Sequence, residues 1–148
     1  MKAILQRVKS GSVSVSGKKI AGIQAGLVIL LGVGPADTEI EANKLALKLA
    51  QMRIFPDVNG KMNLSLLDVN GEALVVPQFT LFADTKKGHR PSFVSAGPPE
   101  IAKPLTDYFS SALRELGVPT QEGEFGAHML VEIHNDGPVT IEVEVKAN

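Results

Sequence analysis

The chain has 148 residues, enough for one domain and too few for a second sizeable core. It has no cysteine, which excludes disulfides, thiol nucleophiles and thiolate metal sites, and its net charge of −1 excludes a protein that coats nucleic acid through many phosphates. The apolar fraction of 44% is that of an ordinary globular protein, the longest apolar run (Leu27 to Val33) is too short to span a bilayer, and no hydrophobic stretch follows a basic start as in a secretory signal.

The first elements read as strands. Lys2 to Lys9 alternates, and Ser12 to Ser16 alternates strictly. Gly17-Lys18-Lys19 is a turn, after which Ile20 to Ile23 pairs back as a hairpin. Leu27 to Val33 is an almost continuous apolar run between glycines, the pattern of a strand covered on both faces. A helix is predicted from Thr38 to Arg53. Asp37 or Thr38 caps it, Glu39 and Glu41 suit its dipole, and Ala42, Leu45, Leu49 and Met52 form its apolar stripe. Phe55-Pro56 ends it. A short strand is expected near Leu64 to Leu67, between two turn-rich segments, and Glu72 to Phe82 reads as a strand interrupted by Pro77.

Asp84 to Pro99 is a long loop with a basic cluster, Lys86, Lys87, His89 and Arg90; loops of this length in compact domains are usually functional. A second helix is expected from Pro99 to Leu116, with Pro104 delaying or kinking its start and Gly117 as its C-cap. Ala127 to His134 and Val139 to Val145 close the chain as two alternating strands, with Asn135-Asp136-Gly137-Pro138 between them. The sum is an α+β fold: one domain over residues 1–148, a curved, barrel-like, mostly antiparallel sheet and two main helices.

Familiar catalytic motifs are missing. There is no Gly-x-Ser-x-Gly elbow and no glycine-rich phosphate loop ending in Gly-Lys-Ser or Gly-Lys-Thr. His128 and His134 fall six apart in one predicted strand, near Glu132 and Glu142, but no convincing third ligand completes a metal site, so neither metal nor cofactor is expected.

Two segments carry more. Pro77-Gln78-Phe79-Thr80-Leu81 and Asn135-Asp136-Gly137-Pro138-Val139-Thr140, with Leu5-Gln6-Arg7-Val8 and Lys87-Gly88-His89-Arg90-Pro91-Ser92-Phe93, resemble the D-aminoacyl-tRNA deacylase family along the whole chain. The resemblance implies a cytoplasmic hydrolase that cleaves the ester between a D-amino acid, or glycine, and tRNA. It implies a homodimer in which the two segments meet across the interface, and a cis Gly137-Pro138 bond. Gln78, Phe79 and Thr80 match the catalytic segment, with the amides near Phe79 and Thr80 as oxyanion donors or the Thr80 hydroxyl as a nucleophile or orienting group. Gly137 and Pro138 match the substrate-facing dipeptide, and Arg7 an arginine that holds it. Phe125 and Gly126 match a segment bordering the terminal adenosine, while Arg90 and Ser92 match a loop at the acceptor end. The implied partner is aminoacyl-tRNA, with no membrane and no DNA. Pro77 stands where the family usually has Ser, so a hydroxyl and an amide hydrogen are missing there. The residues alone fit equally a module that binds aminoacyl-tRNA or another RNA end without cleaving it.

Overall fold

The computed structural model describes all 148 residues. Its first strand, β1 (Lys2–Val15), is continuous where two separate runs were expected. β1 turns at Ser16-Gly17, both with positive φ, into β2 (Lys18–Ile23), which pairs back antiparallel as predicted. β3 (Gly26–Gly32) lies antiparallel to the first half of β1. The chain then crosses through α1 (Glu39–Gln51), a small hairpin of β4 (Phe55–Pro56) and β5 (Met62–Leu64), and returns as β6 (Glu72–Pro77), parallel to β3. A second crossover through α2 (Pro99–Glu115) delivers β7 (Thr120–Glu122) parallel to β6. The last strand, β8 (Leu130–Glu144), runs along the other edge of β1.

The sheet is therefore mixed. Three pairings are antiparallel, and the two made through helical crossovers are parallel, because a strand that returns through a helix re-enters in the same direction. The sheet curls until the Gly22 amide of β2 donates to Gln121 Oε1 of β7 at 2.7 Å. No helix is long and apolar enough to cross a membrane.

Each face of β3 and β6 meets its own apolar core. Leu27, Ile29, Leu31, Ala73 and Val75 pack with Leu45, Leu49, Phe109 and Leu113 of the helices. Val28, Leu74 and Val76 point the other way, to Val8, Val13, Ala21 and Ile23 inside the curl. That arrangement explains the unbroken apolar run of β3. Pro98 and Pro99 open α2, which continues through Pro104 rather than starting after it. β7 was not foreseen: three polar residues carry no periodic signal, and its place is set by backbone bonds such as Gly123 N to Val75 O at 2.8 Å.

The two strands expected at the C-terminus are one. Gln6 and Val8, two residues apart on β1, pair with Thr140 and Asn135, so Asp136 to Val139 stand as a bulge opposite Arg7 alone. The segment expected between two strands is this bulge. Pro138, with no amide hydrogen, sits where no ladder bond is required.

α1 begins with a capping box. The Thr38 amide and hydroxyl both donate to Glu41 Oε2, at 2.8 and 2.7 Å, and the Ile40 amide donates to Thr38 Oγ1. These bonds to Thr38 hold the Glu41 carboxyl below its ordinary value of 4.5. A depressed carboxyl pKa contributes stability that is complete above the unfolded value and is lost as pH falls through the folded value. Glu41→Gln should therefore lower thermal stability at pH 7 and flatten the loss on acidification below about 4.5. Parallel melts of both proteins from pH 7 to pH 3 test this; parallel curves would refute it.

Candidate active site

A cleft of about 630 Å³ opens between the end of β6, the start of α2 and the segment leading into β8. Its floor is apolar: Leu31, Val33, Val76, Met129 and Val131. Pro98, Pro99, Ala102 and Thr106 form the α2 wall, and Phe125, Gly126, Ala127 and His128 the opposite one. Gln78, Phe79 and Phe93 line its mouth.

The segment expected to continue as a strand does not. β6 stops at Pro77, the Gln78 amide makes a last bond to Leu31 O at 2.7 Å, and Phe79–Phe82 winds into a 3₁₀ turn. Pro77 cannot donate onward to a neighbouring strand. A 3₁₀ turn leaves the amides of its first residues, Phe79 and Thr80, without acceptors inside the turn. The Gln78 side-chain amide donates to Thr80 Oγ1, which fixes that hydroxyl beside the cleft although Thr80 itself does not line it. Phe79 is 57% exposed and meets Phe93 edge-on, with ring centroids 5.2 Å apart. Phe79 is thus a cleft-mouth residue and not core.

Gln78, Phe79, Phe125 and Gly126 come together in this cleft. Gly137, Pro138, Arg7, Arg90 and Ser92 do not line it. Arg90 and Ser92 are exposed on the loop that ends at Phe93, and Ser92 closes that loop by exchanging two backbone bonds with Asp84. Gly137 and Pro138 are exposed at the β8 bulge, and their peptide bond is cis.

Arg7 and Asn135 build that bulge. Arg7 Nε donates to Asp136 O at 2.9 Å, and its Nη1 donates to Ile54 O at 2.6 Å. Asn135 Oδ1 accepts from the Val139 amide at 2.8 Å, and its Nδ2 donates to Val139 O at 3.2 Å. One amide side chain thus closes the loop that the missing ladder bonds leave open. Sequence reasoning named Arg7 but gave Asn135 no role; an Asx residue four before a β-branched residue in a strand-like run was the available signal.

Other cleft residues were also missed. Thr106 is buried, with its hydroxyl donating to Ala102 O at 2.8 Å. His128 lies outside β8 and on the cleft wall, so it does not share a strand with His134 as the spacing implied. No group of three His, Asp or Glu side chains is placed to hold a metal ion.

The cleft lies beside a nearly closed mixed sheet and is lined mainly by apolar side chains. Residues 4–144 match the family described as D-Tyr-tRNA(Tyr) deacylase, and the chain belongs to that family. It is 57% identical to the D-aminoacyl-tRNA deacylase of Roseiflexus castenholzii over 141 residues, covering 95% of this chain and 90% of the relative. The solved structure of c-Myc DNA Unwinding Element Binding Protein is 42% identical and superposes with a TM-score of 0.94, covering 99% of this chain and 100% of the other. A probable eukaryotic D-amino acid tRNA deacylase, 17% identical, shares the fold with a TM-score of 0.81 over 96% of this chain and 98% of its own.

Arg7→Ala removes the donor from two carbonyls, and an abandoned polar group costs about 1–3 kcal/mol. The variant should lose about that much stability and show faster amide exchange over residues 135–140 than elsewhere in β8. Uniform exchange along β8 would mean that Arg7 does not hold the bulge.

Proposed function

We propose that the protein hydrolyses the ester of D-aminoacyl-tRNA, releasing tRNA and the amino acid, as a chiral proofreading step. The cleft at the end of β6 carries this reading. It pairs an apolar floor with the open amides of a 3₁₀ turn, in a chain that belongs to a deacylase family. An aminoacyl ester is already activated, so a catalyst need only position water and stabilise the oxyanion. The amides of Phe79 and Thr80 serve as donors, Gln78 orients the Thr80 hydroxyl, and the neighbouring ribose hydroxyl of the substrate helps activate water. Phe125 stacks on the terminal base beside Gly126. Arg90 and Ser92 contact the acceptor end.

The Gly137-Pro138 dipeptide supplies chirality. It is exposed and lines no part of the cleft of its own chain. A two-fold dimer brings each dipeptide, held by Arg7, to the partner's cleft and makes two identical sites from one patch. Exclusion of an L side chain there needs no fitted pocket, so many D-amino acids pass, and glycine passes with them. A thousandfold preference takes only about 4 kcal/mol. The reaction places the protein in the cytoplasm and asks for no metal or cofactor.

Sedimentation at micromolar concentration should give a dimer; a monomer would remove the two-chain site. D-Tyr-tRNA and Gly-tRNA should lose their esters far faster than L-Tyr-tRNA. If Gly-tRNA resists while D-Tyr-tRNA is cleaved, the D side chain is selected positively. Tight binding without ester loss would make the protein a binding module.

Thr80→Ala should leave most of the activity, because it spares the amides, whereas losing one oxyanion donor typically costs about 10²–10³ in rate. A folded Thr80→Ala protein with no activity would favour a threonine nucleophile.

A further inference from the structure

We infer that the loop tip from Lys86 to Arg90 is a phosphate clamp. It holds the RNA backbone just upstream of the nucleotide that enters the cleft. The inference rests on the deacylase reading for the identity of the RNA. It goes beyond that reading in assigning Lys86, Lys87 and His89, which no catalytic argument uses.

The loop is anchored at the cleft mouth from both ends. Its first strand leaves the 3₁₀ turn that carries Phe79, and its second ends at Phe93, which packs edge-on against Phe79. Between them Asp84 and Ser92 exchange two backbone bonds, at 2.8 and 2.9 Å. Asp84 Oδ1 also accepts from the Lys86 amide at 2.9 Å, and Gly88, at φ +65°, turns the tip with open space around its Cα.

The cationic side chains at this tip are committed to nothing else. Lys86, Lys87, His89 and Arg90 are all exposed, and none makes an ion pair. Arg7, Lys9, Lys103, Arg114 and Lys146 are each paired with a carboxylate, while other unpaired cations such as Lys44 and Lys61 stand outside this loop, so it is the clustering of four at one tip that sets the loop apart. A neighbouring pocket is lined by Glu122 and Glu124 together with Lys103 and Asp107, and Glu122 is paired with Arg114. A polyanion whose end occupies the cleft can meet in this loop a cluster of four cationic residues that no carboxylate neutralises. Flexible ammonium groups suit phosphates, which position a nucleic acid without reading its sequence. A chain of net charge −1 can hold RNA in this local way without a basic surface.

The test measures binding of uncharged tRNA against salt concentration for three proteins: the natural one, the double variant Lys86→Gln/Lys87→Gln, and Lys18→Gln/Lys19→Gln. The last removes two exposed lysines at the β1–β2 end of the sheet. Each phosphate contact adds about 0.7 to the slope of log K against log salt on single-stranded RNA. The loop variant should bind tRNA several-fold more weakly, with a slope about 1.4 shallower, and the control should match the natural protein. An unchanged slope in the loop variant, or an equal change in the control, overturns the clamp. In parallel, the natural protein is given D-Tyr-tRNA at a protein concentration that saturates binding. Failure to cleave that ester counts against the deacylase reading alone, while the tRNA slopes still decide the loop.

Discussion

The backbone of β1 has to be satisfied on two edges along fourteen residues, and the rest of the molecule is arranged around that demand. One edge is divided between β3 and β2, each covering about half of it. The other edge is covered by β8 except at two places, where Asp136 to Val139 step out opposite Arg7 and where Lys9 is passed over between Val8 and Ser10. An unpaired stretch there would leave buried carbonyls without donors. Arg7 and Asn135 supply the bonds that the ladder lacks, through Asp136 O, Ile54 O and both backbone polar groups of Val139. The exposed dipeptide is therefore presented by a braced bulge and not by a free loop.

The same economy shapes the cleft. β6 is buried on both faces by Ala73 and Val75 on one side and by Leu74 and Val76 on the other, so it cannot carry polar catalytic side chains along its length. Functional groups can appear only where it ends. Pro77 ends it, and after Gln78 the 3₁₀ turn Phe79–Phe82 leaves its first amides without backbone acceptors. Proline at this position costs a hydroxyl but helps stop the strand, so the departure from the family's usual Ser is compatible with a site built from main-chain donors.

Much of this was legible in the sequence. Thr38 with Glu41 announced the start of α1, the glycine-bounded run from Leu27 announced a strand buried on both faces, and the basic loop stood out by charge alone. The errors fell where one backbone segment borrows its conformation from another. β7 exists because β6 offers it a parallel edge, and its three polar residues say nothing of that. β1 and β8 each looked like two strands because glycine, proline and asparagine interrupt the alternation, and only the partner strand shows that pairing resumes beyond them. Gln78 to Phe82 reads as strand by composition, since Phe, Thr and Leu favour it, and becomes a turn because β3, its partner, has run out at Gly32. The motif residues could be named from the resemblance, and the structure shows that Gly137 and Pro138 stand away from the cleft that Gln78 and Phe79 line.

That separation bears on how chirality is enforced. A site contained in one chain could adjust its dipeptide and its cleft together, and the discriminating gap would follow every local motion. In the proposed dimer the two parts belong to different copies, and the gap is set by a rigid-body relation between two sheets, each braced by its own β1. Exclusion by position suffers most from looseness, because a displacement of about an ångström can cost on the order of a hundredfold in rate. Under the proposed function Arg7 and Asn135 serve specificity, by fixing where the dipeptide stands, while the amides at Phe79 and Thr80 serve the rate. On that proposal, rejecting the wrong substrate and hydrolysing the right one fall to two segments, each held by a different set of bonds.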